Sequence, residues 1–204
     1  VGSEMCIRDS YVGVDLAATS DLTAVAYLVV QDGTYYFKTH YYLPESALKD
    51  KADKELYKYW KQQGYLTVTS GNVTDYDYIT TDMLGYADVV NIQSVGYDKY
   101  NATQWAIDST EQGLPLEEYP QTLGNFNMPT RELERLILSG KAVIDNNEIN
   151  RYCFRNVTLK SDHNGNVKPN KAVDKKKIDG TIAMIQALGM YLRNPRFSNE
   201  IITI

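Results

Sequence analysis

Histidine and cysteine are scarce, two of each in 204 residues. Cys6 and Cys153 lie far apart with no CxxC or Cys/His spacing, which excludes a zinc ribbon or a disulfide framework and favours a reducing, intracellular setting. His40 and His163 leave little material for a Ser-His-Asp or Cys-His mechanism. His40, within a strand, reads as a packing residue, and His163 falls in a hairpin loop. No apolar run approaches the roughly 20 residues of a membrane span, and there is no signal-peptide apolar core. The expectation is a soluble protein, not secreted and with no membrane partner. The phosphate-binding pattern GxxxxGK[ST] is missing too, as are repeats and low-complexity tracts.

What is present suffices for one domain with a real core, at 43% hydrophobic residues. The net charge of −5 hides an asymmetry: residues 141–204 carry 11 Lys and Arg against 6 Asp and Glu, while residues 1–140 carry 10 against 20. A basic final third on an acidic body suits a polyanion meeting one face, although a solvated, salt-laced surface gives the same count. The 17 tyrosines fall mostly in strands and helix faces, where packing explains them.

Residues 1–10, VGSEMCIRDS, have no clear periodicity and resemble translated adapter sequence, so they are set apart as a non-native or disordered tail, leaving 11–204 as the folded domain. The run YVGVDLA alternates as a strand, followed by strands over 22–30 and 34–43 with a turn at Gln31-Asp32-Gly33. Leu48, Ala52, Leu56 and Trp60 predict one amphipathic helix closed by Gly64. A short strand at YLTVT precedes a helix capped within Asp75 to Asp77, a strand SVGYD, and a helix that Asn101 would cap. A strand over 116–119, helices over 128–139 and 147–156, a hairpin with a type I′ turn at Asn164-Gly165, and a final helix complete the chain. The pattern is α/β: an antiparallel three-strand meander plus parallel strands in a mixed sheet flanked by helices.

Asp15 sits on the minor face of the first strand with Gly13 and Ala17. Burying an ionised carboxylate costs several kcal/mol or more unless a cation, a metal or donors offset it. Asp98 ends a later strand and Asp179 opens the last helix, so three acids from distant segments can meet on one edge of the sheet. Like charges that close require cations, and oxygen donors without His or Cys select Mg²⁺ or Mn²⁺. Two such ions about 4 Å apart perform phosphodiester hydrolysis.

The segments GVDLAATSDLTAV, SGNVTDYDYI, GYDKYNATQW and NGNVKPNKAVDKKKIDGTIAMIQAL together resemble, in order and spacing, the nuclease domain of phage terminase large subunits. The resemblance covers about 11–192. It implies a ribonuclease H-like fold and a two-metal endonuclease cutting concatemeric viral DNA during packaging, with Asp15, Asp98 and Asp179 as metal ligands. It further implies double-stranded DNA, a terminase small subunit and a portal as partners, and the host cytoplasm as location. Ala17 and Ala18 stand where the family often has a serine.

Lys177 is the candidate to contact the scissile phosphate or to balance the acids. Asp21 either holds a metal-bound water or caps a turn, and Asp75 and Asp77 either approach the metals or cap a helix. Lys168, Lys171, Lys175 and Lys176 are placed to track a DNA backbone, or form a solvated loop. The rival readings are a junction resolvase on the same fold, an actin-like or sugar-kinase-like ATPase, and a non-catalytic DNA-binding packaging module.

Overall fold

In the computed structural model, residues 8–19, 21–49, 53–100, 102–173 and 176–193 are described. Strand β1 (Arg8–Asp15) lies inside a seven-stranded sheet, antiparallel to β2 (Thr23–Gln31), which pairs antiparallel with β3 (Thr34–Pro44). The two-residue link Asp32-Gly33 has φ of 51° and 72°, the left-handed pair that a tight hairpin needs. On its other side β1 runs parallel to β5 (Val90–Tyr97), and β5 to β6 (Leu116–Glu118). The outer edge of β3 takes two short parallel strands, β4 (Thr67–Thr69) and β7 (Ala142–Ile144). The mixed sheet expected from the sequence is thus observed.

Alternation along β1 sends its residues to two cores. Val12 and Val14 join Val25, Tyr27 and Tyr42 beneath α2 (Tyr76–Tyr86) and α3 (Thr103–Glu111). Tyr11 faces the other layer, made of α1 (Lys54–Gln62), α4 (Leu123–Leu138), α5 (Glu148–Arg155) and α6 (Asp179–Arg193). Helix α6 lies directly on β1: a Cβ added to Gly13 would stand 2.1 Å from the Ala183 carbonyl oxygen and 2.5 Å from the Ala187 nitrogen. The hairpin β8 (Val157–Ser161) and β9 (Val167–Lys171) is a separate two-stranded sheet. It is held to α4 by the Asn127 side chain on the Val167 N–H and by Arg131 on the Gly165 carbonyl.

Several boundaries differ from the sequence-based expectations. Arg8, Asp9 and Ser10, set apart with the tail, are the first rungs of β1 because β5 pairs with them, and Asp9 accepts from Asn91 and Gln93, each at 2.8 Å. Residues 1–7, including Cys6, lie outside the described residues, as does Asn101. The single helix through Leu48 and Trp60 is a 3-10 turn, Glu45–Lys49, and then α1, with Ala52 outside the described residues. Helix α4 starts at Leu123, not near 128, because Thr122 accepts from the Asn125 N–H and the helix accommodates Pro129. The Asn164-Gly165 turn is not type I′. Only Gly165 has positive φ, 78°, and the Asp162 carboxylate organises the loop by accepting from the N–H groups of Asn164 and Asn166.

Candidate active site

Parallel pairing brings two acids side by side. Val14 pairs with Tyr97, so β1 and β5 end together, with Asp15 closing one and Asp98 directly following the other. The third arrives from above: where Gly13 lies under the middle of α6, Asp15, two residues further on the same face, approaches the first turn, and Asp179 is its first residue.

Asp179 is buried, and its Oδ2 has no hydrogen-bond partner among the described residues. Burial, and then the negative charge of Asp21, raise its pKa from the ordinary aspartate value of 3.8 to about 6, against the pull of Lys171 and Lys177. Burial likewise holds the Asp15 carboxyl well above its usual range, with Asp179 as the next cause and Asp98 a lesser one. The two acids resist simultaneous ionisation, the state a cation relieves.

A residue that no sequence motif marks ties the group together. Gln121 donates its side-chain Nε2 to Asp15 Oδ1 at 3.0 Å and its backbone N–H to Asp98 Oδ2 at 2.9 Å, while its carbonyl accepts from Lys168 Nζ at 3.2 Å. Its only clue was a polar residue shortly after β6, the strand beside β5. The other Asp98 oxygen accepts from the Tyr100 N–H at 2.9 Å.

The supporting residues divide. Lys177 donates to Asp21 Oδ1, and Lys171 stands 3.8 Å from Asp21 Oδ2, so Asp21 is more than a turn residue and Lys177 balances it. Lys168 and Lys171 on β9 lie beside the acids. Lys176 instead sits 5.6 Å from the Tyr152 ring centre, and Lys175 lies outside the described residues. Asp75 caps α2 by accepting from the Tyr78 N–H, and Asp77 is exposed in the first turn of α2, with no described contact to Asp15, Asp98 or Asp179. His40 does more than pack: its ring meets Asp82 at 3.2 Å and the Tyr86 hydroxyl at 2.9 Å, on the α2 side of the sheet. His163 is exposed in the hairpin loop.

Among the described residues, no three His, Cys, Asp or Glu side chains already converge as a closed metal cage. The donors nevertheless fit a hard divalent cation, being all oxygen, with one buried Asp179 oxygen unpaired and two carboxyls destabilised as anions. No helix of the described residues is long and apolar enough to cross a membrane.

A family model, "Terminase large subunit, endonuclease domain", matches residues 3–194. The terminase large subunit of Enterobacteria phage HK97 is 28% identical across 89% of this chain and 37% of its own length, and protein YmfN of Escherichia coli K12 is 30% identical across 92% and 45%. This chain therefore spans less than half of those relatives. The crystal structure of the HK97 large terminase superposes with a TM-score of 0.81, at 28% identity over 89% of this chain and 39% of that one. The large terminase nuclease from thermophilic phage G20c with bound magnesium, at 12% identity, shares the fold with a TM-score of 0.60 over 89% of this chain and 80% of that one. With the family match running through β1, β5 and α6, the chain belongs to the terminase large subunit endonuclease domains.

Proposed function

We propose that this domain is a Mg²⁺- or Mn²⁺-dependent endonuclease that cuts concatemeric viral DNA during genome packaging. The observation that carries this reading is the pair Asp15 and Asp179, two shielded carboxyls raised in pKa, one at the end of the interior strand β1 and one in the first turn of α6, with one buried Asp179 oxygen unpaired. The magnesium-bound G20c nuclease, a protein of the same fold, supports the choice of cation.

Asp15, Asp98 and Asp179 would together hold the two ions. Ions so held supply an activated water and neutralise the leaving oxygen of a phosphodiester. The chain's own contribution is placement. Gln121 keeps Asp15 and Asp98 facing one another, and the Lys177 contact to Asp21 keeps a competing negative charge partly neutralised beside Asp179. Lys168 and Lys171, on the hairpin next to the acids, are positioned to take flanking phosphates without reading bases. A small terminase subunit and a portal as partners, and action in the host cytoplasm, belong to the same proposal.

The test is nicking and linearisation of supercoiled plasmid in Mn²⁺, Mg²⁺ or EDTA by the parent domain and by Asp15→Asn, Asp98→Asn and Asp179→Asn. Cutting should require the metal and fall about a hundredfold or more in each variant, with cooperative melting retained. An Asp15→Asn protein that cuts at the parent rate would overturn the assignment, and folded parent protein that binds duplex without cutting would favour the packaging-module reading.

A further inference from the structure

A helix that begins with a ligand needs a fixed seat, because its opening N–H groups have no partners within the helix. Strand register shows what the first turn of α6 rests on. Asp15 pairs with Ala24, and Ala24 with Tyr41, so the three form a row across β1, β2 and β3 on one face. The small middle member leaves a trough between Asp15 and Tyr41. A Cβ added to Gly180 would lie 1.8 Å from the Tyr41 hydroxyl oxygen and 2.7 Å from its Cζ. The phenol thus abuts the residue next to Asp179.

That phenol is locked from behind. Tyr41 and Asn150 are 1% and 2% exposed, and the Tyr41 hydroxyl donates to Asn150 Oδ1 at 2.6 Å. Asn150 Nδ2 donates to Asp145 Oδ1 at 2.6 Å and to the Asp145 carbonyl at 3.1 Å. Asp145 Oδ1 in turn accepts the Thr39 backbone N–H at 3.2 Å. The chain of bonds leaves β3 at Thr39 and returns to it at Tyr41, a closed circuit that holds one ring orientation. Simple filling of the core requires none of these polar groups.

We propose that Tyr41, locked by Asn150 and Asp145, is a positioning residue that sets the height of Asp179 over Asp15 and thereby the affinity of the acid pair for a divalent cation. The inference rests on the reading of Asp179 as a cation ligand. Outer groups that orient metal ligands typically change affinity 10- to 100-fold when removed. Tyr41→Phe deletes the hydroxyl bond and keeps the ring, Gly180→Ala drives a methyl into the phenol, and Gly180→Ala with Tyr41→Leu removes the atoms it strikes.

Calorimetric titration of the 204-residue chain with MnCl₂ alone, with melting curves in EDTA as the fold control, tests this. Tyr41→Phe should weaken binding about tenfold. Gly180→Ala should weaken it further, and adding Tyr41→Leu should restore part of the loss although it removes core volume. A parent that binds Mn²⁺ no better than Asp179→Asn overturns the underlying ligand assignment and this inference with it. Binding that Asp179→Asn abolishes but Tyr41→Phe leaves unchanged, or a Gly180→Ala loss that Tyr41→Leu does not relieve, overturns this inference alone.

Discussion

Asp179→Asn should stabilise the metal-free domain at neutral pH while destroying its function. Asp179 titrates at about 6 in the folded chain against an ordinary 3.8. The folded state therefore holds the proton more tightly than the unfolded one, and stability is lost as pH rises from about 4 to about 6, where the penalty becomes complete. At 1.36 kcal/mol per unit, this amounts to about 3 kcal/mol as an upper bound. The asparagine side chain does not titrate, so the stability difference between variant and parent should grow by up to about 3 kcal/mol across that window, roughly 6–12 °C in Tm for a domain this size. Because Asp179 also helps raise Asp15, its loss shifts Asp15 downward and adds in the same direction. Any fixed cost of an unpaired amide is independent of pH and cancels from the slope. The assay is thermal or urea unfolding in EDTA from pH 4.5 to 7.5, repeated with Mn²⁺, which should stabilise the parent and not the variant. A difference that stays flat with pH, or shrinks as pH rises, would refute the account of a buried acid pair awaiting a cation.

Further outcomes follow from packing and from charge. Gly13→Ala should destabilise by about 3 kcal/mol or more, because its methyl would meet main-chain atoms of α6 that cannot rotate away; Gly85→Ala, in open space on α2, should instead gain about 1 kcal/mol in the same denaturant titration. Lys168→Ala and Lys171→Ala should each lower the magnitude of the log affinity against log salt slope for duplex DNA by about 1, measured by fluorescence anisotropy in EDTA, and an unchanged slope would remove that lysine from the DNA path.

The parts of the site that were legible in the sequence are those carried by local periodicity. Strict alternation in YVGVDLA places Asp15 opposite the valines, and the structure puts Val12 and Val14 in one core and Gly13 under α6 on the other side. Asp98 follows a strand whose last residues are buried and Asp179 opens the final helix, positions that local pattern also reveals. Gln121 was invisible because two of its three bonds are made by its main chain, to which side-chain identity gives no clue. The Tyr41, Asn150 and Asp145 circuit was equally hidden, since Tyr41 and Asn150 lie 109 positions apart and each alone resembles ordinary strand or helix filler. Residues 8–10 show no pattern because pairing with β5, joined at Ser10 by β2, supplies their order. The helix expected over 128–139 missed its first turn, which the Thr122 cap begins at Leu123.

The contact of α6 with β1 runs through Gly13 and the main chain at Ala183 and Ala187. A helix resting on side chains moves whenever those side chains are exchanged, whereas one resting on peptide groups keeps its distance. The distance between β1 and the middle of α6 is therefore set by covalent geometry at the glycine seat, and the Tyr41 contact at Gly180 has only the first turn left to adjust. Hydrophobic positions that touch neither Gly13 nor the Tyr41 circuit are free to drift over evolutionary time without retuning the chemistry where β1 ends.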